Sequence, residues 1–296
     1  MLLAFTLAER TIGGKVVLGS IALVVIASAL SAFFGAKLSA TEIAALGFPF
    51  ARENTAESAF LNSLVFLGLV LVGTLFMLLI VRARRAFFLP FVMAFAVFFS
   101  FWGILEVFAY AVEIPGWLYP LYEPLSLAVA ATTAALIIKP VSVLLLDALL
   151  LIYGTMAGAL FYSVLPPWSV ATIAAVLAVY DLYSVFRGPL RRILEGTVGG
   201  RGGQPKATSH LRGAVVYVGD LALGMGDILI YSMLSPLYYL YPSPSIVRWA
   251  LCAAALAAGF LLTLRMLKKK RFMPALPLPV FLSIATYVAY LALANP

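Results

Sequence analysis

Two aspartates lie in stretches apolar enough to cross a bilayer, where a charge is costly and usually functional. Asp227 follows Gly224 and Gly226, and Asp181 follows Tyr180. Two carboxyl groups that face each other tend to share one proton near neutral pH. The ionised group can then draw a proton from an attacking water, while the protonated group hydrogen-bonds the peptide carbonyl oxygen. Such a pair could hydrolyse a peptide bond with no metal and no other cofactor.

A segment rich in proline and a pair of glycines could shape the surroundings of these acids. Pro274, Ala275 and Leu276 precede further prolines, which lack amide donors and favour an extended turn over a regular helix. The carbonyls of such a turn could pair with a substrate strand. Gly224 and Gly226 would let a peptide approach closely. Each feature alone also fits a simple helix break or ordinary helix packing.

Three further acids, Glu106, Asp147 and Asp220, also fall in apolar stretches. A membrane acid can be a hydrogen-bonded structural group, a proton relay or an ion-binding site. A proton- or cation-coupled transporter or leak channel is therefore an alternative to an enzyme. A catalytically silent scaffold also stays open.

The composition is that of a multi-pass integral membrane protein. Of the 296 residues, 64% are hydrophobic and 11% are charged, and the mean hydropathy is +1.07, far above soluble proteins. The net charge of +8 comes from basic residues between apolar segments, so it indicates topology rather than a nucleic-acid partner. Cys252 is the one cysteine and His210 the one histidine of the sequence. Neither a cysteine nor a histidine metal site is therefore expected.

The hydropathy pattern predicts an all-α membrane protein with nine transmembrane helices. Of the 20 lysines and arginines, only Lys37, Arg52 and Arg248 fall on one side of this arrangement. Basic residues near span ends stay in the cytoplasm, so the N-terminus is predicted to be cytoplasmic and the C-terminus outside. The nine spans lie near 16–34, 59–81, 86–112, 119–138, 140–164, 167–187, 213–240, 245–266 and 273–294.

The predicted spans form one membrane domain in two parts, joined by a loop. Residues 1–187 carry six spans and Asp181, and residues 213–296 carry three spans, Asp227 and the proline segment. The glycines of residues 188–212 predict a flexible cytoplasmic loop. The seventh span begins with the β-branched and aromatic residues 214–219, which favour a strand. We therefore expect a regular helix to start only later, placing Asp227 rather than Asp220 opposite Asp181.

The three motifs together resemble the presenilin and signal peptide peptidase superfamily of intramembrane aspartyl proteases. Tyr180-Asp181 is similar to the superfamily's tyrosine-aspartate pair, and Gly224, Gly226 and Asp227 to its glycine-x-glycine-aspartate motif. Pro274, Ala275 and Leu276 match its PAL motif. They occur in the expected order on predicted spans six, seven and nine. A prepilin-peptidase-like enzyme would share the glycine motif, but neither the tyrosine-aspartate pair nor the PAL segment supports it.

The resemblance implies an intramembrane aspartic endopeptidase with a presenilin-like fold, in which Asp181 and Asp227 are catalytic. Tyr180, Gly224, Gly226 and the PAL residues would shape the site. Transmembrane protein segments would be its substrates and the lipid bilayer its surroundings, with no cofactor and no nucleic acid. The chain is most similar to a microbial, archaeal-type presenilin homologue, which predicts a prokaryotic cell membrane and activity without accessory subunits. The loop at 188–212 is short compared with presenilin's large loop. It also lacks an obvious apolar segment for self-cleavage, so activation by self-cleavage is not expected.

Overall fold

Helices make up most of the computed structural model of the chain, which describes residues 3–4, 13–41, 43, 49–83, 86–186, 212–219, 221–267 and 272–294. Eight of the helices in these ranges are long and apolar enough to cross a membrane. The helices are α1 (Gly14–Ser39), α2 (Ala56–Arg82), α3 (Leu89–Ala111), α4 (Tyr119–Ile138), α5 (Val143–Val164), α6 (Pro167–Phe186), α7 (Met225–Leu240), α8 (Ile246–Leu267) and α9 (Pro277–Ala294).

The seventh predicted span is not one helix. Residues 213–240 contain an antiparallel hairpin, β2 (Val215–Val218) and β3 (Leu221–Gly224), before α7 starts at Met225. This confirms the strand predicted from residues 214–219. At 16 residues α7 is about 24 Å long, shorter than the roughly 30 Å apolar core of a bilayer. Asp220 and residues 188–211 of the predicted loop lie outside the described residues.

Two short strands complete a four-stranded antiparallel sheet. Strand β1 (Leu3–Ala4) pairs with β3 on one side and with β4 (Phe272–Met273) on the other. The strand order is therefore β2-β3-β1-β4. Strand β3 runs directly into α7, and β4 ends just before the PAL segment. Helix α9 begins at Pro277, four residues after the predicted start of the last span near residue 273, as the prolines of this segment predict.

Helix α7 is the core of the bundle. It packs against α1, α5, α6 and α8, and almost all of its residues from Asp227 to Tyr238 are buried. Polar side chains tie it to its neighbours, as hydroxyls do between membrane helices. The hydroxyls of Ser28 on α1 and Ser235 on α7 are 2.7 Å apart, and Trp249 of α8 donates to Ser235 over 2.9 Å.

Arg248 anchors the end of α7 from within the bundle. Its side chain is only 2% exposed, and its Nε donates to the carbonyl of Tyr238 over 2.7 Å. Its Nη2 donates to the carbonyls of Tyr239 and Ser243, at 3.0 and 2.5 Å. These carbonyls close the C-terminus of α7, where a cation is favourable. Arg248, an exception to the charge asymmetry, therefore has a structural role.

Candidate active site

Asp181 lies near the C-terminal end of α6 and is completely buried. Its Oδ2 accepts a hydrogen bond from the backbone amide of Leu276 over 3.2 Å, and the Ala275 amide also faces this carboxyl group. Asp181 and Asp227 are close enough to interact electrostatically. The structure thus brings together two predicted site residues that are 46 positions apart in the sequence.

Asp227 lies in the first turn of α7 and is also completely buried. The first turn of a helix has amides without intrahelical partners and the positive end of the helix dipole, so it suits a carboxylate. The hairpin places this helix start inside the protein, because the Met225 amide still donates to the Ala214 carbonyl over 2.8 Å. Because the strand changes to a helix at Gly224, Asp227 lies in a helix start that is buried inside the protein.

Tyr231 connects the two aspartates to the PAL segment. It lies one turn after Asp227 on α7, close enough to Asp227 and Asp181 for their charges to act on it. Its hydroxyl donates to the Ala275 carbonyl over 2.7 Å, and the tyrosine is almost completely buried. Sequence reasoning missed this residue, although its position four residues after Asp227 places both on one helical face.

The PAL segment contributes backbone groups rather than side-chain chemistry. Ala275 and Leu276 are buried between the end of β4 and the start of α9. The Ala275 carbonyl accepts from Tyr231, and the Leu276 amide donates to Asp181. The Leu276 carbonyl accepts from Val280 over 3.0 Å, starting α9. The segment therefore holds α6, α7 and α9 together at the two carboxyl groups.

Helix α5 supports α7 through two glycines. A Cβ on Gly158 would lie 2.5 Å from the Ser232 Cβ and 2.7 Å from the Leu229 carbonyl oxygen. A Cβ on Gly154 would lie 2.9 Å from the Ile228 Cγ2. Such small-xxx-small spacing allows membrane helices to approach closely, and here it fixes the position of α7 against α5.

The remaining predicted site residues occupy less central positions. Tyr180 is half-buried and adjoins Asp181 on α6, where consecutive side chains point in different directions. Gly224 ends β3 with φ −66° and ψ 139°, a conformation open to any residue, so backbone freedom is not why glycine is there. Gly226 lies in the first turn of α7 beside Asp227.

Two of the other acids make separate hydrogen bonds. Glu106 accepts from Tyr119 and Ser126 over 2.7 and 2.6 Å, between α3 and α4. Asp147 of α5 accepts from the Tyr217 amide of β2 over 3.1 Å. Each acid therefore serves a different junction between elements.

Comparison with solved structures identifies the fold. The chain is similar to a presenilin family intramembrane aspartate protease solved in space group C222, with a TM-score of 0.63 and 19% identity over 94% of this chain and 99% of that one. It is also similar to a presenilin family intramembrane aspartate protease solved in space group P2, with a TM-score of 0.61 and 20% identity over 91% of this chain and 96% of that one. The chain therefore has the presenilin fold.

Sequence comparison confirms the resemblance to the presenilin superfamily. The chain is 30% identical over 131 residues to Presenilin-B of Dictyostelium discoideum. The match covers 42% of this chain and only 26% of that relative. No family model matches the chain.

Proposed function

We propose that the chain is an intramembrane aspartic endopeptidase that hydrolyses peptide bonds within transmembrane segments of membrane proteins. The observation that carries the proposal is the meeting of Asp181 and Asp227, both fully buried and interacting, inside a presenilin fold. In the proposed reaction, the ionised aspartate takes a proton from water as the water attacks the scissile carbonyl. The protonated aspartate hydrogen-bonds the carbonyl oxygen as negative charge develops there. The C–N bond of the tetrahedral intermediate then breaks, and the leaving nitrogen receives the proton that the other aspartate took from water.

The neighbouring residues have supporting roles in this proposal. The Leu276 amide orients Asp181, and Tyr231 holds the PAL backbone beside Asp227. Tyr180, Gly224, Gly226 and Pro274 shape the space around the pair. The protein needs no cofactor and no accessory subunit for this chemistry.

The substrate must unwind, because a helix in lipid satisfies its own backbone hydrogen bonds. A freed extended segment could pair with β3 or β4, the strands that lead to Asp227 and to the PAL segment. Leu3 and Ala4 already pair with both. A substrate strand that pairs with both β3 and β4 must take the place of β1 between them, so the N-terminal strand would compete with such a substrate.

A transporter is less well supported, because Glu106 and Asp147, the two further membrane acids that the structure describes, lie at different junctions between elements. Glu106 binds hydroxyls between α3 and α4, and Asp147 binds the sheet edge. These hydrogen bonds are explained by the packing of α3 on α4 and of the hairpin on α5. Acid-dependent ion flux in liposomes without proteolysis would favour transport instead.

Our proposed topology has nine spans, with α7 as the shortest, a cytoplasmic N-terminus and the C-terminus outside, in a prokaryotic cell membrane. It rests on the asymmetry of Lys and Arg, which is stronger now that Arg248 has a structural explanation. Labelling of single cysteines introduced at each end, in right-side-out and inverted vesicles, tests this topology. Labelling of the N-terminal cysteine from outside would contradict it.

Purified protein with a transmembrane substrate tests the proposed activity. Asp181→Asn and Asp227→Asn should each abolish cleavage, because either change prevents the pair from supplying both base and acid. Glu106→Gln is the matched control, since this acid lies in another interface and should leave cleavage intact. Cleavage at the wild-type rate by a folded Asp227→Asn variant would refute the proposal.

A further inference from the structure

Asp147 is an acid that the proposed chemistry does not use. It lies on α5 with a side chain that is 8% exposed, and its Oδ1 accepts from the Tyr217 amide over 3.1 Å. Tyr217 lies in β2, which is one of the two edge strands of the sheet. The acid therefore connects a membrane helix to the backbone of the hairpin that leads to Asp227.

The register of the hairpin explains why this amide needs a partner. Val218 pairs with Leu221 next to the two-residue connection, and Tyr217 pairs with Ala222. Hydrogen-bonded and non-hydrogen-bonded pairs alternate in an antiparallel ladder, so the Tyr217 amide points away from β3. Gly219, with φ 61°, allows the tight connection that sets this register. An outward amide that is partly buried is costly unless it is bonded, and Asp147 supplies the acceptor.

Helix α5 also contacts α7, the helix that follows the hairpin after Gly224. Gly154 and Gly158 of α5 contact α7, and Asp147 lies two turns before Gly154, about 10 Å along the helix axis. The hairpin and α7 are thus both attached to α5, with the change from strand to helix at Gly224 between the attachments. Asp227 lies three residues beyond that change.

We propose that Asp147 is a positioning residue that holds the β2–β3 hairpin on α5 and thereby sets where α7 begins and how Asp227 faces Asp181. This inference rests on the proposed protease function. The bond needs an acceptor oxygen at position 147 and not a negative charge. A neutral amide there should therefore suffice, whereas a proton relay or ion site would need the acid.

Two substitutions at one position test this proposal. Asp147→Asn keeps an acceptor oxygen and should retain cleavage within about threefold, because neutral hydrogen bonds are weaker than charge-assisted ones by a modest factor. Asp147→Leu has similar size but no acceptor and should lower kcat about tenfold or more, with little change in KM. Mass spectrometry of the products should also show a changed distribution of cleavage positions for Asp147→Leu alone.

Hydrogen exchange at β2 gives a readout that does not depend on activity. The Tyr217 amide should exchange faster in Asp147→Leu than in Asp147→Asn. Tyr217→Pro removes the donor instead, at an outward position of an edge strand where proline is tolerated, and should reproduce the kcat loss if Asp147→Leu does not fold.

The outcomes separate the two proposals. If Asn impairs cleavage as much as Leu, the charge is needed and the positioning role is wrong. Equally, wild-type kcat together with fast exchange in Asp147→Leu would show that the anchor does not position the site. If the wild-type protein cleaves no transmembrane substrate, the protease function fails, while exchange still reports whether Asp147 holds the hairpin.

Discussion

The close approach of α5 to α7 predicts a large effect from adding one methyl group at Gly158. A Cβ there would lie 2.5 Å from the Ser232 Cβ, and the Leu229 oxygen and Met233 nitrogen would be 2.7 and 2.8 Å away. Ordinary contact begins near 3.4 Å, so the two helices must part by roughly 1 Å. The Leu229 and Met233 atoms belong to the backbone of α7, so no side-chain rotation relieves the clash.

Gly158→Ala should therefore lower the free energy of unfolding by about 1–3 kcal/mol, the usual cost of overpacking. Because a displacement of about 1 Å in a catalytic site can cost about a hundredfold in rate, kcat should fall by one to two orders of magnitude. Thermal unfolding in detergent and cleavage at saturating substrate measure the two effects.

Gly103→Ala is the matched control, because Gly103 is an exposed glycine of helix α3 with no atom within 4 Å of an added Cβ. It should leave stability unchanged or raise it by up to about 1 kcal/mol, since alanine favours a helix over glycine. Equal melting temperatures and equal kcat for the two variants would refute the packing argument.

Three further substitutions test separate parts of the structure. Tyr231→Phe leaves the buried Ala275 carbonyl without its 2.7 Å bond, and should cost about 1–3 kcal/mol in stability and reduce cleavage in a detergent assay. Arg248→Met removes the side-chain donor from three carbonyls around the end of α7 and should lower stability by at least about 2 kcal/mol by thermal unfolding. Ala4→Pro breaks the pairing of β1 and should lower KM for a transmembrane substrate, whereas Ala4→Val, which keeps a strand former, should not. Unchanged values for Tyr231→Phe, Arg248→Met or Ala4→Pro would contradict the role given to the contact concerned.

Hydropathy was enough to predict most of the helices, because each needs a long apolar run to cross a bilayer. It failed at residues 213–224, where an apolar strand and an apolar helix look alike. The composition of residues 214–219 nevertheless predicted the strand, since β-branched and aromatic residues favour extended backbone. The same argument did not reveal β1, because Leu3 and Ala4 carry no local strand pattern and pair only through tertiary contacts.

The polar contacts of the candidate site were less accessible to sequence reasoning. The motifs pointed to Asp181, Asp227 and the PAL segment. The hydrogen bonds of the Leu276 amide and the Ala275 carbonyl, however, depend on how three helices meet. Nothing local indicates that Tyr231 reaches the Ala275 carbonyl or that Asp147 reaches the Tyr217 amide. Such bonds join residues 44 and 70 positions apart, so only the assembled fold defines them.

Cleavage of a transmembrane substrate in ¹⁸O-labelled water tests the central claim most directly. If the aspartate pair activates water inside the membrane, the new C-terminus should gain one ¹⁸O atom at a bond within the substrate's apolar span. The Asp181→Asn and Asp227→Asn proteins should give no labelled product. Labelled product formed at the wild-type rate by either folded variant would contradict the claim.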